Sequence, residues 1–130
     1  MNDAAGGLRI EIFVDDVEGA ALFYERLLGF ARENQSPGYA TLRRGTARIG
    51  VGAESGLPDA HPLKPRSDER LGVGVEIVIE VGDIDAAYGT VLAAGYPILS
   101  PLKERPWGQR DFRIMDPDGY YLRITSLPHE

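Results

Sequence analysis

Residues 10–20 read I-E-I-F-V-D-D-V-E-G-A, and residues 77–87 read I-V-I-E-V-G-D-I-D-A-A, 67 residues further on. Ile10/Ile77, Ile12/Ile79, Val14/Val81, Asp16/Asp83 and Ala20/Ala87 are identical, and Val17/Ile84 and Glu18/Asp85 are conservative pairs. In both copies apolar residues alternate with other types, the period of a strand with one buried face. An aspartate then stands where a helix needs an N-cap, with an acid two residues later at the positive end of the helix dipole. The first helix is expected to run from the Asp16 cap to Gly29, a fair left-handed stop, and the second from the Asp83 cap to Gly95.

Outward from these stretches, the runs 30–33, 39–43 and 46–51 are separated by Ser36-Pro37-Gly38 and by Gly45, which reads as a three-stranded meander. After the second helix, 97–101, 112–115 and 120–125 read the same way. Between the copies, residues 53–71 carry Pro58, Pro62 and Pro65 with mixed charge and no periodicity, as an exposed linker or flap does. The expected fold is therefore α+β: two tandem βαβββ modules, about 8–52 and 73–127, joined by a linker at 53–72. At 130 residues they make one domain of ordinary size.

One helix covers only one face of a four-stranded sheet, so each module leaves a face bare. If the helices pack on the faces bearing Leu8, Ile10, Ile12, Val14 and Val75, Ile77, Ile79, Val81, the opposite faces form a curved sheet around a cleft. Arg9, Glu11, Phe13, Glu76, Val78 and Glu80 would line or flank that cleft. The plainer alternative for Glu11 and Glu80 is a solvated strand face. Arg9 and Glu76 hold equivalent places in the two repeats, an arrangement that suggests an ion pair between modules.

Composition narrows the function classes. The net charge is −6 and no basic run stands out, so the electrostatic footprint of a nucleic-acid partner is missing. An acidic surface also repels anionic membranes and draws cations. The chain has no cysteine, which excludes disulfides, thiolate nucleophiles and thiolate metal sites. No stretch approaches the ~20 apolar residues of a membrane span, and Met1-Asn2-Asp3 lacks the basic start of a signal peptide, so a cytoplasmic location is expected.

The duplicated pattern, with F-Y-E-R-L-L-G-F at 23–30 and R-P-W-G-Q-R-D-F-R-I-M-D-P-D-G-Y-Y-L-R-I at 105–124, resembles the vicinal oxygen chelate superfamily over residues 8–127. That superfamily holds glyoxalases, extradiol dioxygenases, fosfomycin resistance enzymes and bleomycin-binding resistance proteins. The resemblance implies paired βαβββ modules around a cleft, often completed in a homodimer. Its enzymes place metal ligands, usually His and Glu, on strands one and four of each module. The matching positions are Arg9, about Gly50, Glu76 and Arg123, and guanidiniums and a glycine cannot coordinate a divalent cation. No metal and no cofactor is expected. His61 in the linker and His129 near the end read as solvent-exposed. A shifted alignment would recruit Glu11 or Glu80, but carboxylates without imidazole make a weak transition-metal site.

The departure points to the branch resembling bleomycin resistance proteins, which sequester a drug without transforming it. The P-W-G at 106–108 resembles that branch, where the tryptophan lies at the ligand cleft. Trp107 is the one tryptophan of the chain; it reads either as a packing residue or as a stacking platform for a planar, cationic group. The candidate ligand-binding set is Trp107, Phe13, Arg9, Glu11, Glu76, Tyr121 and Arg123, with Tyr39 and Tyr120 as further aromatics. Strand parity groups Tyr121 with Arg123 and Thr125. Phe23 and Tyr24 read as helix-to-sheet packing. Gly6-Gly7, Gly72 and Gly74 precede no Lys-Ser/Thr helix start and form no phosphate loop. The acids of Asp116-Pro117-Asp118-Gly119 shape a turn. The expected function is metal-independent binding and sequestering of a small aromatic antibiotic of the bleomycin type. The alternatives are a metal-dependent lyase, isomerase or dioxygenase of the glyoxalase type, and a metal-free enzyme with Glu76 as base between Arg9 and Arg123.

Overall fold

A computed structural model describes residues 6–128; His129 and the first three residues, Met1-Asn2-Asp3, on which expectations were placed, lie outside the described residues. The chain divides into two compact units, residues 1–65 and 66–130. Each is a βαβββ module.

In the first unit β1 (Ile10–Val14) leads into α1 (Val17–Leu28), followed by β2 (Ala31–Ser36), β3 (Tyr39–Arg44) and β4 (Ala47–Ala53). The sheet order is β1-β4-β3-β2, with β1 parallel to β4 and the meander antiparallel. The parallel pairing places the helix crossover on one face, where Ile12, Val14, Ala40, Leu42, Ile49 and Val51 are buried beneath α1. Asp16 accepts from Gly19 N at 3.1 Å and caps the helix. Gly29 ends it at φ 74°, a left-handed conformation that a Cβ would strain. Phe23 and Tyr24 are buried and meet edge to face at 4.9 Å, as packing residues do.

The second unit repeats the plan with β5 (Ile77–Val81), α2 (Ile84–Ala93), β6 (Ser100–Glu104), β7 (Arg110–Met115) and β8 (Tyr121–Ser126). Its order is β5-β8-β7-β6, again with the first and last strands parallel. Asp83 caps α2 by accepting from Ala86 N at 3.0 Å, and left-handed Gly95 follows its end. Ile77, Ile79, Val81, Phe112, Ile114, Leu122 and Ile124 form the buried face.

Three details differ from the sequence reading. β6 starts at Ser100 rather than residue 97, because a register break between Ser100 and Lys103 carries the ladder toward Glu104. Leu8 and Val75 precede their strands and are exposed, so the buried faces begin at Ile12, with Ile10 half-buried, and at Ile77. Residues 54–76 hold no strand; a short 3-10 turn at Glu54–Gly56 is tied down by Lys64, whose Nζ donates to the carbonyls of Glu54 at 3.0 Å and Leu57 at 3.2 Å. His61 belongs to this segment, its Nδ1 accepting from Leu63 N at 3.0 Å.

Candidate functional site

The sequence-derived site residues fall into two groups, one on the helix-free sheet face of each unit. In the first unit Glu11 and Phe13 point away from α1, since Ile10, Ile12 and Val14 take the other parity. Glu11 pairs in register with Gly50, and Phe13 with Gly52. The two glycines leave a low trough between β1 and β3. The Glu11 carboxylate crosses it, and its oxygens accept from the Tyr39 hydroxyl at 2.9 and 2.8 Å. A Cβ on Gly50 would fall inside the space of both the carboxylate and the hydroxyl. The Phe13 ring lies beside Gly52, 3.4 Å from where a Cβ would stand. Burial, with the Glu11 carboxylate second, raises the pKa of Tyr39 and keeps its phenol protonated. Arg9 Nε donates to Glu11 at 2.6 Å.

The second unit carries a denser array. Arg113 and Arg123 are directly opposite each other on β7 and β8. Glu76, just before β5, reaches Arg123 at 3.2 Å and Arg113 at 3.8 Å. The Tyr121 side chain is the leading cause of the raised pKa of Arg113, ahead of Asp111. Asp111 is 0% exposed; it pairs with Arg105 at 2.8 Å and lies 3.6 Å from Arg113 Nε. The chain turns between β6 and β7 through Arg105-Pro106-Trp107-Gly108, closed by Gly108 N donating to Arg105 O at 3.0 Å. Proline at the second turn position presets its φ, and Gly108 at φ 90° lets the chain re-enter the ladder. Trp107 is thereby held out, 54% exposed, with the Arg123 guanidinium 5.9 Å from its ring centroid.

Trp107, Tyr121, Arg123 and Glu76 are thus brought together, and Arg9, Glu11 and Phe13 form the other group. Arg9 pairs with Glu11, and Glu76 with Arg123 and Arg113, each within its own unit. Sequence reading missed Arg113, Asp111 and Arg105. Arg113 had a usable signal, since it shares the alternation of F-R-I-M with the Arg123 of L-R-I. Asp111 had none, because an acid in a strand reads as solvated unless its buried partner is known. The acids of the 116–119 turn do shape it: Asp116 Oδ1 accepts from the backbone N of Asp118 and of Tyr120, both at 2.9 Å.

The positions that the resemblance assigns to metal ligands do not fit a cation. Gly50 has no side chain, and Glu76 is held by two guanidiniums whose charge opposes a metal. Among the described residues no three His, Cys, Asp or Glu side chains come together as a metal cluster.

Comparison with known proteins agrees with this architecture. Bleomycin resistance proteins of Geobacillus stearothermophilus and of Staphylococcus aureus strain MRSA252 are each 29% identical to the chain over 126 residues, covering 87% of it and 93% of the relative. The crystal structure of a member of the glyoxalase/bleomycin resistance protein/dioxygenase superfamily from Sphaerobacter thermophilus superposes with a TM-score of 0.68 at 28% identity, covering 92% of this chain and 94% of that one. TioX from Micromonospora sp. ML1 shares the fold, with a TM-score of 0.71 at 22% identity over 96% and 98% of the two chains. The family model matches residues 8–124, the whole of the duplicated pattern, and the chain belongs to the Glyoxalase/Bleomycin resistance protein/Dioxygenase superfamily.

Proposed function

We propose that this chain binds a small aromatic molecule of the bleomycin type and sequesters it unchanged, with no metal taking part. The observation that carries the reading is Trp107, held exposed on a fixed turn with the Arg123 guanidinium over its ring. A preorganised aromatic face costs little ordering on binding and suits any planar ligand group. Within the same unit Tyr121 and Arg123 add polar contacts beside the tryptophan, while Phe13, Tyr39 and Glu11, backed by Arg9, form a separate apolar and hydrogen-bonding surface of the first unit. The named bleomycin resistance relatives support sequestration over turnover.

Trp107 is the chain's one tryptophan, so its emission reports directly on this face. Titration with a bleomycin-type compound is expected to quench or shift it saturably; an unchanged spectrum at high micromolar ligand would remove this ligand class. Elemental analysis of protein purified without chelator tests the glyoxalase-type alternative, because near-stoichiometric Ni, Zn, Fe or Mn would overturn the metal-free reading. The working form is proposed as a cytoplasmic homodimer, expected in light scattering at twice the 14.2 kDa of one chain. Among the described residues no helix is long and apolar enough to cross a membrane.

A further inference from the structure

We infer that the ligand group received beside Trp107 is an acid, a carboxylate or a similar anion on an aromatic ring, taken by Arg113 and Arg123 in the place Glu76 now holds. This rests on the aromatic-binding reading above and reverses the ligand charge that the chain's net charge suggests.

Arg113 and Arg123 are a like-charged pair directly opposite on neighbouring strands; the first unit holds one too, Arg43 opposite Arg48, with Glu33 at 2.7 Å from Arg43. Two like charges directly opposite on neighbouring strands repel, and a cross-strand pair is the nearest contact a sheet offers. Arg113 and Arg123 occupy such a pair, so the fold must supply an anion between them. Asp111 is fully buried and its shortest ion pair is with Arg105, which leaves it 3.6 Å from Arg113. Glu80 stands in register with Thr125, one row along the sheet from the arginine row. The remaining acid is Glu76, and it is loosely engaged: its contacts are 3.2 and 3.8 Å, longer than the 2.6 to 2.8 Å of the ion pairs Arg9–Glu11, Arg43–Glu33 and Arg105–Asp111.

Glu76 is also attached in a way that lets it leave. It lies outside β5, two residues after Gly74, and its side chain keeps 35% of its exposure while each arginine side chain keeps 22%. A planar carboxylate matches the fork of a guanidinium, and an aromatic ring carrying it can lie against the exposed indole that Arg123 already touches.

Three isosteric probes separate the possibilities: naphthoate, neutral naphthamide and cationic naphthylmethylammonium, each titrated against Trp107 emission. Naphthoate is expected to bind about tenfold or more tightly than naphthamide, the scale of a charge-assisted hydrogen bond, with the cation weakest. Glu76→Gln, which keeps shape and removes the competing charge, should tighten naphthoate several-fold more than it changes naphthamide. Arg113→Met should abolish the preference for the acid, with circular dichroism confirming the fold of both variants. Naphthamide or the cation binding as well as naphthoate, or weaker naphthoate binding by Glu76→Gln, overturns the acid inference and leaves aromatic binding standing. If none of the three perturbs Trp107 while a bleomycin-type compound does, the acid inference falls and the proposed function stands; if that compound leaves the emission unchanged as well, both fall.

Discussion

The Glu11 carboxylate reaches the Tyr39 hydroxyl from two strands away, and it does so across the bare backbone of Gly50. Gly50→Ala forces a methyl group into the space of both partners. Overpacking of this kind costs about 2 kcal/mol, and urea unfolding is expected to show it. Tyr39→Phe in the same background should recover part of the loss, because the hydroxyl that the methyl strikes is gone. An alanine variant as stable as the parent would show that the carboxylate and hydroxyl are not seated there.

The two capping aspartates make equivalent hydrogen bonds, 3.1 Å at Asp16 and 3.0 Å at Asp83. Asp16→Ala and Asp83→Ala are each expected to cost about 1 kcal/mol in denaturant unfolding. Both effects come from the same position of a repeated unit, so similar losses at the two sites would measure how far the copies still share one local design.

Asp111 is the one fully buried acid among the described residues. Asp111→Ala leaves the Arg105 guanidinium, itself only 14% exposed, without its shortest ion pair. Breaking a buried pair from one side costs about 3 kcal/mol or more, and the thermal midpoint should fall accordingly. Double replacement of Asp111 and Arg105 by apolar residues is expected to be milder than the single change.

Tyr96 donates to the Met115 carbonyl at 2.6 Å, and burial, with Asp116 and Asp118 behind it, pushes its pKa up to about 12. The folded chain therefore holds this proton more tightly than the unfolded chain. Its contribution to stability is complete below the ordinary tyrosine value near ~10 and is lost as pH rises through about 12. Tyr96→Phe should cost about 1 kcal/mol at neutral pH and flatten the alkaline decline.

The architecture was legible because repetition supplies its own control. Ile10, Ile12 and Val14 alternate, Ile77, Ile79 and Val81 alternate identically, and each set precedes an aspartate that caps a helix in the structure. The sites were half legible. Strand parity put Glu11, Phe13, Tyr121 and Arg123 on the helix-free faces, because side-chain direction in a strand depends only on counting. Arg9 and Glu11, two residues apart, share a face by counting, but Glu76 meets Arg123 and Arg113 because register between strands distant in sequence is set by loops and a bulge that no local pattern encodes. The sign of local charge was hidden for the same reason: a net charge of −6 sums over the whole surface, whereas Arg105, Arg113 and Arg123 gather in one module.

The two copies have not kept equal shares of helix packing. α1 buries Ala20, Ala21, Phe23, Tyr24 and Leu28, while α2 buries Ile84 and Val91 alone. Deuterium should accordingly enter the amides of the second helix well before those of the first, since a helix with fewer anchored side chains opens at lower free energy. The outer surface of the second helix is correspondingly the larger free area, with Ile84 and Val91 as its two buried anchors.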